Sequence, residues 1–231
     1  MNSTNLRVRI GFWYAAIMLF TAMAVPAQMN QQFAHAQQEN ALALKKYQWK
    51  ARTEIQKEAE TKRVQLALMR YDANGNVQKT VVSSTPEPDL PKFGLRKAIA
   101  RKKLSEFRGR LEELGALARS YSELPPERLQ RFAATATVTP EAAAQQKLIR
   151  LSGRDVLQPG DSMTVWVDAV SHKQRRVEIG TWLDGKPVRI VSEFRDIPKQ
   201  GPTYMARSQV NYDGAQVVII TENFDYALAQ L

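Results

Sequence analysis

The chain of 231 residues contains no cysteine and only two histidines. Without cysteine it can form no disulfide, carries no thiolate nucleophile and has no cysteine ligand for zinc. The lack of cysteine also excludes a lipid anchor on a modified N-terminal cysteine. No phosphate-binding loop and no dinucleotide-binding fingerprint occurs in the sequence. We therefore predict a protein that is not an enzyme and that uses no cofactor and no metal.

The first residues carry the features of an export signal. Arg7 and Arg9 precede an uncharged, mostly apolar run from Ile10 to Val25, and small residues follow it. This pattern is typical of a secretory leader. The run of 16 residues is shorter than the roughly 20 that cross a bilayer, so an uncleaved membrane anchor is the less favoured alternative. We predict that the protein is exported to the periplasm.

Two positions fit the small-residue rule for removal of the leader. One follows Val25-Pro26-Ala27, and the other follows Ala34-His35-Ala36, just before Gln37; the rule favours the second. We therefore predict a signal peptide over residues 1–36. The remaining residues, 37–231, are numerous enough to bury a core without disulfides, and we expect them to form a single domain.

The charge of the chain after removal of the leader indicates the kind of partner. Loss of residues 1–36 lowers the formal net charge from +10 to +8. Such a surplus favours an acidic partner, either anionic lipid head groups or an acidic envelope protein. Because the protein is expected to be exported, we predict no nucleic-acid partner.

His172 would be the one histidine left in the exported chain. It lies in the segment Ser171-His172-Lys173-Gln174, where a solvated turn side chain is the simpler interpretation. One histidine cannot form a zinc-binding cluster, and no Ser–His–Asp set is suggested by the sequence. The adjacent carboxylates of Glu112 and Glu113 are interpreted as part of a solvated helix surface.

The N-terminal third is predicted to be a short helix followed by antiparallel strands. Polar and apolar residues alternate from Tyr47 to Gln56, which is typical of a half-buried strand. The Asn74-Gly75 pair supplies the positive φ angles of a tight hairpin. The helix is predicted over Glu39–Lys46, and the next two strands over Arg63–Tyr71 and Lys79–Ser84.

A basic helical insertion is predicted at about residues 92–146. The proline-rich segment Ser83–Pro91 ends the first sheet region. Apolar residues then recur at three- and four-residue steps through Gly94–Leu124, which indicates a helix with one buried stripe. Pro126-Glu127 opens a shorter helix, Arg128–Thr135, and the alanine-rich segment Pro140–Gln146 is predicted to add two helical turns.

The last 85 residues are predicted to be a second antiparallel meander. Short alternating segments recur at roughly ten-residue spacing and are joined by turn dipeptides such as Asp184-Gly185. The predicted strands are Lys147–Leu151, Ser162–Asp168, Arg175–Leu183, Val188–Asp196, Thr203–Tyr212 and Gln216–Tyr226.

Two surfaces are candidates for binding. The first is the set of apolar residues on the strands, which either fill an ordinary core or line a hollow that holds an apolar ligand; alternation alone does not separate the two. Its members are Trp49, Leu66, Leu68, Val165, Val167, Val177, Ile179, Val188, Ile190, Ile220 and Phe224. The second is the basic start of the long helix, which is either a solvated face or a docking surface for anionic membranes or an acidic partner. Its members are Arg96, Lys97, Arg101, Lys102 and Lys103.

Several short segments resemble those of one known family. Tyr47-Gln-Trp-Lys-Ala-Arg opens the first strand, and Met69-Arg-Tyr-Asp-Ala-Asn-Gly resembles an R-Y-D-x-x-G hairpin. Thr164-Val-Trp-Val-Asp168, followed by Arg176-Val-Glu-Ile, and the closing segment Val217–Tyr226 are similar to later strands of the same family. With the order of elements, these segments resemble the LolA/LolB-like family of periplasmic lipoprotein carriers and the N-terminal part of RseB-type sensor proteins.

The resemblance implies a fold and a function. It implies an α+β fold, an unclosed antiparallel β half-barrel whose concave face is covered by the helical insertion. It also implies that the concave apolar face holds a lipid or the acyl chain of a lipoprotein. The alternative is a protein-interaction or sensory module with a filled core, which docks an acidic partner through its basic helix. Without an N-terminal cysteine, a membrane-anchored receptor of the LolB kind is disfavoured.

Overall fold

The computed structural model describes residues 32–86, 94–143 and 146–229. It contains three helices, a ten-stranded sheet and a short 3₁₀ turn at Asp213–Ala215. The helices are α1 (residues 32–44), α2 (Leu95–Ser122) and α3 (Pro126–Thr135). The strands are β1 (Tyr47–Lys57), β2 (Glu60–Tyr71), β3 (Val77–Ser84), β4 (Thr137–Ala143), β5 (Gln146–Arg154), β6 (Ser162–Asp168), β7 (Gln174–Leu183), β8 (Lys186–Asp196), β9 (Thr203–Tyr212) and β10 (Val217–Leu228).

All ten strands form one antiparallel sheet that does not close. Its order is β3-β2-β1-β10-β9-β8-β7-β6-β5-β4, so that the first and last strands of the chain are neighbours in its interior. The two edges, β3 and β4, are consecutive in the chain and are joined through α2 and α3. Within the residues that the structure describes, these edges do not pair with each other. The expected unclosed half-barrel with a helical insertion is therefore confirmed.

Tight turns fix the register of the hairpins. Between β2 and β3, the Asp72 carboxylate accepts the backbone N–H groups of Asn74 and Asn76, both at 2.9 Å. Gly75 then adopts a φ of 81°, a left-handed conformation that costs glycine little. Between β7 and β8, Asp184 and Gly185 both have positive φ, as expected of the turn dipeptide there.

Helix α2 runs across the strands rather than along them. Phe107 lies under the ammonium of Lys57 on β1, with the ring centroid 5.7 Å from Nζ. One turn further on, the guanidinium of Arg110 is 5.8 Å from the centroid of the Tyr212 ring on β9. Near its end, Tyr121 is hydrogen-bonded to β7. The apolar stripe predicted for this helix therefore crosses the concave face from β1 towards the later strands.

The hydrophobic core lies between the helices and the concave face of strands β5–β10. Helix residues from all three helices contribute to it, and the inward-facing residues of the strands complete it. The helix residues are Phe33, Leu114, Tyr121 and Phe132, and the strand residues include Leu151, Met163, Val165, Val167, Val188, Ile190, Val210 and Val217.

Three predicted boundaries are wrong. In the alanine-rich segment predicted as helical turns at 140–146, Pro140–Ala143 instead belongs to edge strand β4 and Gln146 begins β5, while residues 144 and 145 lie outside the described residues. Among the described residues, the helices of the insertion therefore end at Thr135. Pro140 pairs with Ile149 in the outermost strand, where a missing N–H is tolerated because that side has no neighbouring strand.

Helix α1 also begins well before Glu39, at residue 32. Of the predicted linker Ser83–Pro91, Ser83 and Ser84 belong to β3 and residues 87–91 lie outside the described residues.

No helix among the described residues combines the length and the apolar character that a membrane span requires.

Candidate binding surface on the concave face

The pairing of the strands determines which residues share the concave face. Directly paired residues of antiparallel strands point to the same side of a sheet. Val217 belongs to the core, and Ile219, Thr221 and Asn223 follow it at two-residue steps on β10. Through the register these align with inward-facing residues of the neighbouring strands: Ile55, Thr53 and Ala51 on β1, Gln65 and Ala67 on β2, and Val77 and Val81 on β3.

Part of the predicted apolar surface is a filled core. Val165 and Val167 on β6 are 0% and 2% exposed, and the predicted residues of β7 and β8 are also buried. All of them contact the cluster that contains Leu114 and Phe132 of the helices. This end of the concave face is packed with side chains, and one buried cluster that stabilises the fold contains Val165, Val167, Val177, Ile179, Val188 and Ile190.

Four predicted residues lie on the opposite, convex face. Leu68 and Phe224 both pair with Lys50, and Ile220 pairs with Glu54, so these residues alternate with the inward-facing Ala51 and Thr53. Leu66 pairs with Arg52 on the same side. The expectation that all predicted apolar residues share one surface is therefore corrected: Leu66, Leu68, Ile220 and Phe224 are not brought together with Trp49.

Trp49 is the predicted residue that lies at the open end of the concave face. Its ring stacks on that of Tyr226, with centroids 5.5 Å apart and an interplanar angle of 4°. Tyr71 lies 5.4 Å from it in a tilted arrangement, and Tyr204 lies 4.2 Å from Tyr226. We call Trp49, Tyr71, Tyr204 and Tyr226 the aromatic cluster. It joins the ends of β1, β2, β9 and β10.

The orientation of Trp49 is held by polar contacts. Its indole Nε1 donates to Asn223 Oδ1 at 3.1 Å, and Asn223 Nδ2 donates to the carbonyl oxygen of Met205 at 2.9 Å. The register of β1 and β10 shifts beside Trp49, and Asp225 there has a φ of 54°, as in a β-bulge. The bulge brings Tyr226 back onto the Trp49 ring.

Two phenols of the aromatic cluster, those of Tyr71 and Tyr226, are neutral over the physiological range of pH. Burial raises the pKa of Tyr226 well above its usual value, and the phenols of Tyr71 and Tyr204 add to the shift. Burial also raises the pKa of Tyr71, with a smaller contribution from the negative charge of Glu123. Tyr71 and Tyr226 therefore contribute uncharged rings that each carry one polar hydroxyl group, as suits an amphipathic ligand.

The concave face is uncovered at its other edge, on strand β3. The inward-facing Val77 and Val81 are 42% and 51% exposed, in contrast with the fully buried Val165 across the sheet. On β2, the half-buried Tyr71 pairs with Val77 and the buried Ala67 pairs with Val81. The half-buried Met69 lies between them and pairs with Lys79, which faces inward between the two valines. Valines Val77 and Val81, together with Met69 and the aromatic cluster, form what we call the open end of the concave face.

The predicted basic surface lies on the first turns of α2. Arg96, Arg101, Lys102 and Lys103 are exposed, as are Leu95 and Ile99 between them, while Lys97 is half-buried. Glu106 is the acidic residue nearest in sequence, and its carboxylate is 3.9 Å from Lys102 Nζ. The segment combines positive charge with two exposed aliphatic side chains. We call residues 95–103 the basic segment.

Two open clefts of about 550 and 700 Å³ occur at the rim of the sheet, away from the aromatic cluster. One lies between α1 and the β6–β7 turn and includes His35, Glu39 and His172. The other lies beside the β1–β2 turn and the 3₁₀ turn, and includes Glu58 and Asp213. None of the predicted apolar residues lines either cleft.

In the described ranges no group of three or more His, Asp or Glu side chains is placed to hold a metal ion.

Comparisons with known proteins give likenesses in fold. A DUF1329 family protein from Desulfovibrio piger is 7% identical, with a TM-score of 0.42 over 89% of this chain and 92% of its own. A LolA superfamily protein from Nitrosomonas europaea is 10% identical, with a TM-score of 0.33 over 84% and 94%. An outer membrane lipoprotein-sorting protein domain from Vibrio parahaemolyticus is 9% identical, with a TM-score of 0.45 over 87% and 94%.

No protein-family model and no curated protein sequence matches this chain. Two of the three similar structures are a LolA superfamily protein and a lipoprotein-sorting protein domain, in agreement with the resemblance found in the sequence. At identities of 7–10%, these likenesses concern the fold alone.

Sequence reasoning missed most of the open end. Tyr71, Tyr204 and Tyr226 were not among the predicted site residues, nor were Val77 and Val81. A usable signal was present, because Tyr71 and Tyr226 lie near the ends of two strands that both flank the strand of Trp49. What the sequence did not show is that a bulge turns Tyr226 inward.

Proposed function

We propose that the protein is an exported, non-enzymatic binding protein that holds a lipid, or the acyl chain of a lipoprotein, on the open end of its concave face. The observation that supports this proposal is the difference in side-chain exposure between the two ends of the concave face. The concave face is filled under β5–β10, yet Val77 and Val81 remain about half exposed on the same face of β3. Apolar surface left uncovered beside an aromatic cluster is suited to an apolar ligand.

Burial of apolar surface would provide the affinity. Removal of apolar area from water stabilises a complex by about 25 cal/mol per Å². A chain that buries about 300 Å² therefore gains roughly 7 kcal/mol before the cost of association is subtracted. The phenol groups of Tyr71 and Tyr204 would lie at the edge of such a ligand and are able to hydrogen-bond its polar head.

The leader supports the proposed location. Its charged start, apolar run and small-residue exit are those of a secreted protein, and the cysteine-free composition is compatible with an envelope protein that relies on its core. We propose that the protein binds its ligand in the periplasm.

A pair of adjacent substitutions tests the proposal. Val81 faces inward and is 51% exposed, whereas the neighbouring Thr80 is exposed on the convex face, where it pairs with Leu68. Val81→Asp places a charge on the proposed binding surface, whereas Thr80→Asp places the same charge on the convex side as a matched control. Binding of cis-parinaric acid, a fluorescent fatty acid, is measured by titration for the wild type and both variants.

We expect the wild type and Thr80→Asp to bind the fatty acid equally and Val81→Asp to bind it at least tenfold more weakly. If both variants lose the same amount of fatty-acid affinity, or if neither variant changes it, the open end is not the binding site. Absence of any binding, together with absence of lipid in mass spectra of protein purified from its native envelope, would contradict the proposed function itself.

The basic segment supports a second candidate, an interaction module that docks on an anionic surface. Its exposed cations lie around the helix, with Leu95 and Ile99 exposed between them. Each basic residue near an anionic membrane contributes about 1 kcal/mol of attraction. In this case the filled core is a scaffold and the open end need not hold a ligand.

Vesicle binding separates the second candidate from the first. The variant Arg101→Gln, Lys102→Gln, Lys103→Gln is compared with a control that removes the same charge elsewhere, Arg131→Gln, Lys147→Gln, Lys186→Gln. Sedimentation with phosphatidylglycerol vesicles should fall roughly 100-fold for the first variant and much less for the control, with fatty-acid binding unchanged in both. Equal reductions in the two variants would show that only net charge matters, which contradicts a docking role for the basic segment.

A further inference from the structure

Helix α1 is anchored to the domain mainly through its first turn. Phe33 is 1% exposed and belongs to the hydrophobic core, and Ala34 beside it is also buried. Both residues precede Gln37, the position at which the small-residue rule alone would start the exported chain. From residue 35 to residue 44 every side chain of the helix is exposed or half-buried.

A second contact shows that the helix is part of the folded domain. The side-chain amide of Asn40 donates to the carbonyl oxygen of Thr203 at 2.7 Å, and its Oδ1 accepts the Thr203 N–H at 2.6 Å. These two bonds fix α1 against the start of β9 while Phe33 fills the core one to two turns earlier. A chain that began at Gln37 would keep the hydrogen bonds and lose the buried aromatic ring.

We propose that the leader is removed after Ala27, so that the exported chain begins at Gln28 and retains the whole of α1. Val25-Pro26-Ala27 satisfies the small-residue requirement and directly follows the apolar run. The inference rests on the export assumed in the proposed function. Hydrolysis of the Ala27–Gln28 peptide bond consumes one water and gives a carboxylate on the leader and a free amine on Gln28.

The first residue of the protein purified from its native envelope is the direct test, by intact mass and N-terminal sequencing. A chain that begins at Gln28 supports the inference. One that begins at Gln37, or at any residue after Phe33, overturns it while leaving export intact. A chain that begins at Met1 overturns both the inference and the cleaved, exported form of the proposed function.

A matched pair of substitutions tests the processing site itself. Ala27→Phe places a large side chain where the small-residue rule requires a small one, and should block removal of the leader. Ala36→Phe makes the same change at the alternative site, on a half-buried position of α1, and should leave processing unchanged. If Ala36→Phe blocks processing and Ala27→Phe does not, the cut lies within α1 and the inference is wrong.

Stability provides a readout that does not depend on the processing enzyme. In a chain that starts at residue 28, Phe33→Ala should lower Tm by about 10 °C, because it leaves a cavity in the core. Leu42→Ala on the same helix, at a position 65% exposed, should change Tm by no more than about 2 °C. A chain that starts at residue 37 and melts at the same temperature as the longer one would show that the first turn of α1 is dispensable.

Discussion

The hydroxyl of Tyr121, on helix α2, donates to the buried carboxylate of Asp161, with 2.5 Å between Oη and Oδ2. It is also hydrogen-bonded to Thr181 Oγ1 on β7, at 2.9 Å. The remaining bonds of the carboxylate come from the loop before β6. Their donors are the backbone N–H groups of Val156, Leu157 and Gln158. Tyr121 thus ties the end of α2 to a fully satisfied buried carboxylate, which fixes the helix over the filled part of the concave face.

Removal of the Tyr121 hydroxyl is expected to destabilise the domain. Tyr121→Phe keeps the ring in the core and takes one hydrogen bond from a buried charge, which costs about 1–3 kcal/mol. Ser120→Ala is the control, because its exposed hydroxyl bonds only to a carbonyl of its own helix, and it should change stability by less than about 0.5 kcal/mol. Urea denaturation measures both. A Tyr121→Phe protein as stable as the wild type would show that the bond contributes nothing.

The ionisation of Asp161 should make part of the stability dependent on pH. Burial acts to raise the pKa of this carboxyl, but the bonds from Tyr121 and three backbone N–H groups outweigh it and lower the pKa below 3.8. Because the pKa is lower in the folded protein, this contribution is present above pH 3.8 and is lost as the pH falls through the folded value.

The stability difference between the wild type and Asp161→Asn, measured by urea denaturation, should therefore shrink between pH 5 and the lowest pH at which the protein folds. In Tyr121→Phe the acid-dependent loss should begin at a higher pH, since a bond that lowers the pKa is gone. A stability difference between wild type and Asp161→Asn that stays constant with pH would contradict this assignment.

Glu54 on the convex face offers a second electrostatic test. Its carboxylate accepts bonds from Gln56 Nε2 at 2.9 Å, Thr61 Oγ1 at 2.7 Å and Arg52 Nη2 at 2.8 Å. Together these bonds lower its pKa to about 2. In Thr61→Val the pKa should rise towards 4.5, the ordinary value, and a side-chain NMR titration measures it. The same pKa in wild type and variant would mean that the Thr61 bond is absent in solution.

Two glycine substitutions should have opposite effects. A methyl group on Gly153 of β5 would lie 2.9 Å from the Phe132 ring of α3, whereas one on Gly115, on the exposed side of α2, meets nothing within 4 Å. Gly153→Ala should destabilise the domain by about 1–3 kcal/mol through overpacking. Gly115→Ala should stabilise it by about 0.5–1 kcal/mol, because alanine is the better helix former. Thermal unfolding of the two variants measures both signs, and a Gly153→Ala variant at least as stable as the wild type would contradict the packing of α3 on β5.

The sequence predicted the elements of the fold better than the faces of its strands. Alternation within β2 and β10 was recognised, but both strands carry apolar residues on both sides. On β10, Val217 and Ile219 face the core, while Ile220 and Phe224 face outward. Which set points inward depends on the register with the neighbouring strand and on the bulge beside Trp49, and neither follows from the residues of one strand.

The error at Pro140 has a different origin. Alanine favours helices, and the segment was predicted accordingly, but local preference is weak compared with pairing in a sheet. Seven consecutive pairs with β5, from Thr137 with Ser152 to Ala143 with Gln146, hold this segment as a strand. Its position at the sheet edge, which makes the proline acceptable, is a property of the whole topology and has no local signal.

The pairing of the first strand with the last one has a consequence for how the protein folds. The bond from Trp49 to Asn223 joins residues 174 positions apart, and β1 has no other neighbour than β10 and β2. Contacts between such distant parts of a chain form slowly, because a large loop must close before they provide any stabilisation. The β1–β3 hairpins cannot join the rest of the sheet until the final strand has been synthesised. The surface around Trp49 therefore forms only after both ends of the chain have met.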